Sequence, residues 1–236
     1  MRITQSIITR SLLQNINRSK ENINKRQIAI ATGKEILRSS GDPVKFARAS
    51  RFRKTISRND QYLKNINGAK GWLDTTTSLL DNMSSGMIDA KEIAIQSADE
   101  SNNAEMRKML ADKVDSIIND TVALANNTYM GKYLFGGTNT LGDEPFSYDG
   151  TTVTYNGNSH NIYRRIAENY NISINIAGSQ LIDVDIFSSL ISLKNALNND
   201  DTDGIQSSID EINSVSEKLF SLTSAMGSIK NQLTMT

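Results

Sequence analysis

Seven-residue spacing governs most of this chain. Residues 42–127 read as a helical hairpin broken once near Ser101–Asn103. Its first arm carries Phe52, Asn59, Ile66, Leu73, Leu80, Met87 and Ala94 at intervals of seven, and a second row, Tyr62, Ala69, Thr76, Met83 and Ala90, lies three residues on. Such a period keeps one seam of a helix turned towards a partner helix along its whole length. A second seam closes the chain: Ile205, Ile212, Leu219, Met226 and Leu233, with Val215, Leu222 and Ile229 three residues on. The two seams are natural partners, so the pattern predicts a mainly α fold, an elongated antiparallel helical rod of coiled-coil-like character. Phe52, Ile66, Leu73, Leu80, Ile212, Leu219 and Met226 are the expected rod core.

Punctuation places the remaining elements. Residues 4–32 read as a first helix with Ile16, Ile23 and Ile30 at seven-residue spacing and Gly33 as its stop. Asp42 and Pro43 suit the N-cap and first turn of the long arm. The second arm starts at Asn102 or Asn103 and shows Leu110, Val114, Ile117, Thr121, Leu124 and Thr128 on one face. From Gly131 to Phe187 the pattern changes. Phe146–Tyr148 and Thr152–Tyr155 flank Asp149-Gly150, a hairpin signal, and Asn161–Ile166 and Asn171–Ile176 follow as strands. The expectation is a small inserted β-rich region of three to five strands, separable from the rod. A short helix capped by Ser188 or Ser189 and ending near Leu197 leads through the loop Asn198–Gly204 to the last helix. The organisation expected is therefore a basic helix and linker at 1–42, a rod at 43–130 with 188–236, and a β insert at 131–187.

Composition narrows the function. Hydrophobic residues make up 38% and aromatics 6% of the chain, which suits narrow apolar seams better than an enzyme core. There is no Cys, hence no disulfide framework or thiolate metal site. The single His, His160, sits in an Asn-rich turn without a nearby carboxylate and reads as a surface residue. Neither a phosphate-binding Gly-rich loop nor a His-Glu-x-x-His helix occurs. No catalytic residue, cofactor or metal is expected. Asn199, Asp201, Asp203 and Asp210 match a calcium loop in part, but an acidic turn with Asp203 capping the last helix is the simpler reading.

Charge is unevenly placed. Residues 1–58 hold 14 Lys/Arg and 3 Asp/Glu, a net of +11, while residues 59–236 hold 12 and 23, a net of −11. Nucleic acid is a poor partner for this basic head, which lacks helix-turn-helix spacing and has no aromatic before Phe46. Membrane is a poor partner too, because residues 1–40 offer no Trp or Phe anchor. No apolar run is long enough to span a bilayer, and no cleavable leader is apparent. The charge asymmetry suits a head-to-tail contact between copies. Arg10, Ile16, Arg18, Ile23, Lys25, Arg26 and Ile30 are the expected subunit contacts.

Several blocks in order resemble the flagellin-like family. Thr32-Gly33-Lys34, then Ser40-Gly41-Asp42-Pro43-Val44, resemble its Ser-Gly-Lys and Asp-Asp-Pro-Val blocks, and Asn65-Ile66 with Trp72-Leu73 its next helix block. Ala123-Leu124-Ala125-Asn126, followed by Tyr133-Leu134-Phe135-Gly136-Gly137-Thr138 and Pro145-Phe146, is similar to the hook–filament junction branch. The resemblance implies a non-enzymatic subunit of the extracellular flagellum, exported unfolded by the flagellar type III apparatus. The partners implied are hook-associated protein 1, flagellin, further copies of the chain and an export chaperone. Members of that family usually continue through a further C-terminal helix that pairs with the N-terminal helix in the assembled tube, and the sequence departs from that pattern by stopping at Thr236. The alternatives are a flagellin-like filament subunit, or a secreted binding module whose β insert is a ligand-binding head.

Overall fold

The computed structural model describes residues 5–35, 42–99 and 102–235. Most of the expected turn Ser39–Asp42, and Ser101 of the expected break, lie outside them. The fold is mainly α, with three small antiparallel hairpins, and its chain divides into two units, Met1–Asp60 and Gln61–Thr236.

In the first unit, α1 runs from Gln5 to Thr32. Gly33 follows at φ +65°, a left-handed conformation that a Cβ disfavours, and this ends the helix. The next helix, α2, spans Pro43–Ser97. Asp42 caps it: its Oδ1 accepts the Lys45 N–H at 3.0 Å, and Pro43 occupies a first-turn position whose missing N–H costs nothing.

In the second unit, the remainder of α2 packs with α3 (Ala104–Ala125), α5 (Ile186–Asn198) and α6 (Thr202–Met235). The pairs run antiparallel. Gly86 of α2 faces Ile117 of α3, and Arg107 of α3 reaches Ser97 of α2. Asp74 of α2 pairs with Lys230 of α6 at 2.5 Å, and Asp115 of α3 with Lys194 of α5 at 2.7 Å. The α6 seam is buried at Ile205, Ile212, Leu219, Met226 and Leu233. The α2 seam is buried at Ile66, Leu73, Leu80, Met87 and Ala94.

Several expectations need correction. Phe52, placed in the rod core by its spacing, is 63% exposed, because burial of the α2 seam begins only at Ile66. The α6 seam is shared: α6 touches α2, yet it lies closest to α5, and α5 closest to α3. The short α5 is therefore central, with Ile186, Phe187, Leu190, Leu193 and Leu197 all buried. It begins after Asp185 rather than at Ser188 or Ser189, and an unforeseen helix α4 (Gly178–Asp183) precedes it. Asp201, not Asp203, caps α6, its Oδ1 accepting the Gly204 N–H at 3.0 Å.

Residues 131–187 hold five short strands, within the three to five expected, and a sixth, β1, precedes them. The pairs are β1 (Thr128–Tyr129) with β2 (Lys132–Tyr133), β3 (Phe146–Tyr148) with β4 (Val153–Tyr155), and β5 (Tyr163–Ala167) with β6 (Tyr170–Ser173). The turn between β3 and β4 has four residues, one more than expected, because β4 begins at Val153 rather than Thr152. The Asp149 carboxylate accepts the N–H groups of Thr151 and Thr152 at 2.8 and 2.7 Å and the Thr151 hydroxyl at 2.7 Å. These donors, Thr152 N–H first, hold its pKa well below the usual carboxylate range.

The hairpins share a hydrophobic core with the helices. Leu134, Phe135, Phe146, Ile166, Ile172, Ile174 and Ile176 belong to the same hydrophobic core as α2, α3, α5 and α6. The Phe146 ring lies 4.9 Å from Tyr155 and 5.3 Å from Phe187, centroid to centroid. Asn126, just past α3, treats Phe146 as a strand neighbour: its Nδ2 donates to the Phe146 carbonyl at 2.8 Å, and its Oδ1 accepts the Phe146 N–H at 2.9 Å. Gly178 donates its N–H to the Phe135 carbonyl at 2.7 Å, in a space where a Cβ would collide with Phe146 and Tyr155.

Lys194 of α5 ties β3 to α3. Its Nζ donates to Asp115 at 2.7 Å, to the Tyr148 hydroxyl at 3.0 Å and to the Gly150 carbonyl at 2.8 Å, while the Tyr148 hydroxyl donates to Asp115 at 2.7 Å. The Lys194 bond holds the Asp115 carboxyl below its ordinary value, against the opposing effect of burial. A carboxylate whose acidity is strengthened by folding stabilises above its unfolded value and loses that contribution as pH falls through the folded one. The stability difference between the parent and Asp115→Asn is therefore expected to be constant above about pH 5 and to shrink below about pH 4. Urea titrations of both proteins across that range check this; a pH-independent difference contradicts it.

Candidate functional site

The functional features of this molecule are faces of helices. On α1, Ile8, Leu12, Ile16, Ile23 and Ile30 share one side, because steps of four and seven residues return to nearly the same helical angle. All are exposed, Ile30 to 83%. Arg10, Arg18, Lys25 and Arg26, the other residues expected to make subunit contacts, are exposed on the same helix. On the first part of α2, Val44, Phe52 and Ile56 are exposed as well. A helix whose apolar stripe is open to water gains little from its own propensity, and its stability comes from covering that stripe. The first unit thus presents two helices with uncovered apolar residues and dense positive charge.

Of the expected rod core, Ile66, Leu73, Leu80, Ile212, Leu219 and Met226 lie buried in the second unit, whereas Phe52 does not. The partial calcium motif does not assemble. Asp201 is engaged as the α6 cap, Asp200 pairs with Arg107, and Asp210 sits more than two turns along α6. Among the described residues, no three His, Asp or Glu side chains form a group able to hold a metal ion. His160 is exposed, its Nδ1 3.3 Å from Asn158 Oδ1. An open groove between α5 and α6 is lined by Asp185, Ser188, Asp210, Glu211 and Lys218, with Lys218 paired to Asp185 at 3.0 Å. No described helix is long and apolar enough to cross a membrane.

Sequence reasoning overlooked the polar staple at one end of the second unit. Arg107 is buried on the α3 face that also carries Leu110, Ala111 and Val114. Its Nε donates to the Ser97 carbonyl at 3.0 Å, an Nη donates to the Asp99 carbonyl at 3.3 Å, and the other Nη pairs with Asp200 in the loop before α6. Asn102 Nδ2 donates to the Gln96 carbonyl at 2.6 Å. Together these side chains satisfy carbonyls that the end of α2 leaves without helical partners. A cation in phase with an apolar stripe was the available signal.

Residues 3–140, more than half of the chain, match the family model of the bacterial flagellin N-terminal helical region. The chain belongs to this flagellin family. Solved structures share its fold. A Vibrio parahaemolyticus protein assigned as flagellar hook-associated aligns at 18% identity with a TM-score of 0.76, covering 84% of this chain and 92% of its own. Bacillus cereus FlgL aligns at 22% identity and TM-score 0.69, covering 80% and 92%. The flagellar hook-associated protein-3 of Legionella pneumophila aligns at 15% identity and TM-score 0.71, covering 79% and 93%. No curated protein matches the chain. Family membership gives the protein a structural role in the bacterial flagellum, and self-assembly with other flagellar components accords with the open helical faces of the first unit.

Proposed function

We propose that this flagellin-family protein is the subunit that joins the flagellar hook to the filament. The observation that carries this reading is the likeness of fold to hook-associated protein 3 and FlgL structures across about four-fifths of the chain. In this reading the protein leaves the cell through the flagellar type III apparatus, escorted by an export chaperone, and works outside it. It contacts hook-associated protein 1 on one side, flagellin on the other, and its own copies around the tube. Residues 1–42 form the assembly segment, 43–130 with 188–236 the rod, and 131–187 the β excursion. The subunit contacts are Arg10, Ile16, Arg18, Ile23, Lys25, Arg26 and Ile30. The open stripe on α1 and the basic charge of residues 1–58 support this assignment.

A deletion strain is expected to retain hooks and lose attached filaments in electron micrographs. Re-expressing the parent chain restores the filaments. Re-expressing the Ile16→Asp/Ile23→Asp double variant does not, because two charges on the stripe oppose its burial against a neighbour. As both side chains are exposed, the purified variant should melt within about 0.5 kcal/mol of the parent. Hooks bearing full filaments in the deletion strain refute the junction role. Short or sparse filaments of altered composition favour the filament-subunit alternative.

A further inference from the structure

Helix α6 buries one side and leaves another with a regular charge pattern. Asp203, Asp210 and Glu217 repeat at seven, so they form a line on one exposed face with a step of about 10.5 Å. No Lys or Arg stands three or four residues from any of them, so the helix provides no pairing of its own. Among the described residues, none of the three takes part in an ion pair. Three residues beyond Glu217, Phe220 is 73% exposed beside the acidic line. This is an apolar anchor next to uncompensated charge on a helix whose opposite side is packed.

The first unit carries the reciprocal pattern. On α2, Arg48 and Arg51 stand one turn apart on the same side, and the exposed Phe52 follows Arg48 by four. The sign is opposite to that of the α6 line. The large-scale charge agrees, with +11 on residues 1–58 against −11 on the rest.

We propose that the exposed face of α6 is a docking surface for a second copy of this chain, whose α2 lays Arg48, Arg51 and Phe52 along Asp210, Glu217 and Phe220. The inference rests on the reading of the protein as a self-assembling flagellar subunit, and it names the surface that the basic end meets. Charge pairing across such a face sets register and association rate more than affinity, so the contact is salt-sensitive. Screening shortens from about 30 Å at 0.01 M salt to about 8 Å at 0.15 M.

The chain has no Cys, so single introduced thiols report contacts between molecules. Thr55 lies within the basic face and Ser214 beside the acidic line, and both are exposed. Full-length Thr55→Cys and Ser214→Cys chains are mixed and oxidised. Since each molecule carries one thiol, any disulfide joins two molecules. The expected product is predominantly the mixed dimer, falling several-fold between low and high salt. Adding Asp210→Lys/Glu217→Lys to the Ser214→Cys chain is expected to abolish it. Adding Arg48→Glu/Arg51→Glu to the Thr55→Cys chain as well is expected to restore it, which a fold defect would not allow; circular dichroism of each variant checks its helices. Absence of a mixed dimer, a Ser214–Ser214 dimer as the main product, or indifference to charge reversal overturns the proposal. A chain that restores filaments in cells while giving no mixed dimer loses only this contact. A salt-sensitive mixed dimer from a chain whose deletion leaves filaments intact refutes the junction role alone.

Discussion

Arg107→Ala is expected to lower the unfolding free energy by about 3–5 kcal/mol, the range for removing one partner of a buried charged network. The guanidinium is buried at the start of α3, where a helix N-terminus repels positive charge, so its position is costly in isolation. Three interactions offset that cost: the carbonyls of Ser97 and Asp99 at the end of α2, and the carboxylate of Asp200 before α6. Alanine leaves the carbonyl of the buried Ser97 without its side-chain donor, while the Asp99 carbonyl keeps the Asn102 N–H, and it opens a cavity at the meeting of three elements. The ion pair itself is the smaller part, since the Asp200 side chain is about half exposed and recovers water when released. Asp200→Asn should therefore cost no more than about 1 kcal/mol. Arg107→Lys should behave more like alanine than like the parent, because a single ammonium does not span donors aimed at three acceptors. Urea unfolding followed by circular dichroism distinguishes these. An Arg107→Ala protein within about 1 kcal/mol of the parent would show that water serves the Ser97 carbonyl equally well.

The second large effect is expected at Leu219. Its side chain is wholly buried in the α6 seam, so Leu219→Ala removes transfer energy and leaves a cavity, together about 2–5 kcal/mol. The next residue provides the control. Phe220 is larger, but it points to solvent, and Phe220→Ala should change stability by no more than about 0.5 kcal/mol. The order of the two effects, small for the larger side chain and large for the smaller, follows from orientation on the helix alone. Equal losses at both positions would place the seam elsewhere on α6.

The helices and their ends were legible in the sequence because their causes are local. A carboxylate at Asp42 caps whatever helix begins at Pro43, and Gly33 takes a left-handed conformation at little cost wherever α1 lies. The α6 seam was legible for a related reason: every position from Ile205 to Leu233 at seven-residue spacing faces the same way, and all five are buried. The apolar stripe on α1 was legible as seven-residue spacing amid strong positive charge, and its residues are exposed.

Other features depended on which elements meet. Phe52 and Leu73 occupy equivalent positions of one repeat, yet Phe52 is exposed and Leu73 is buried, because periodicity fixes the direction of a side chain and not the extent of the surface opposite it. The role of Arg107 came from three backbone and side-chain acceptors brought together from α2, its following turn and the loop before α6, residues up to 93 positions away. The hairpins could be read from turn residues, but their union with the helices came from Phe146 reaching Phe187 and Asn126 pairing with Phe146. Local chemistry in the sequence determined where helices start, stop and turn their apolar sides. Tertiary structure alone decided which of those sides are covered, because burial belongs to two surfaces and a sequence pattern describes one.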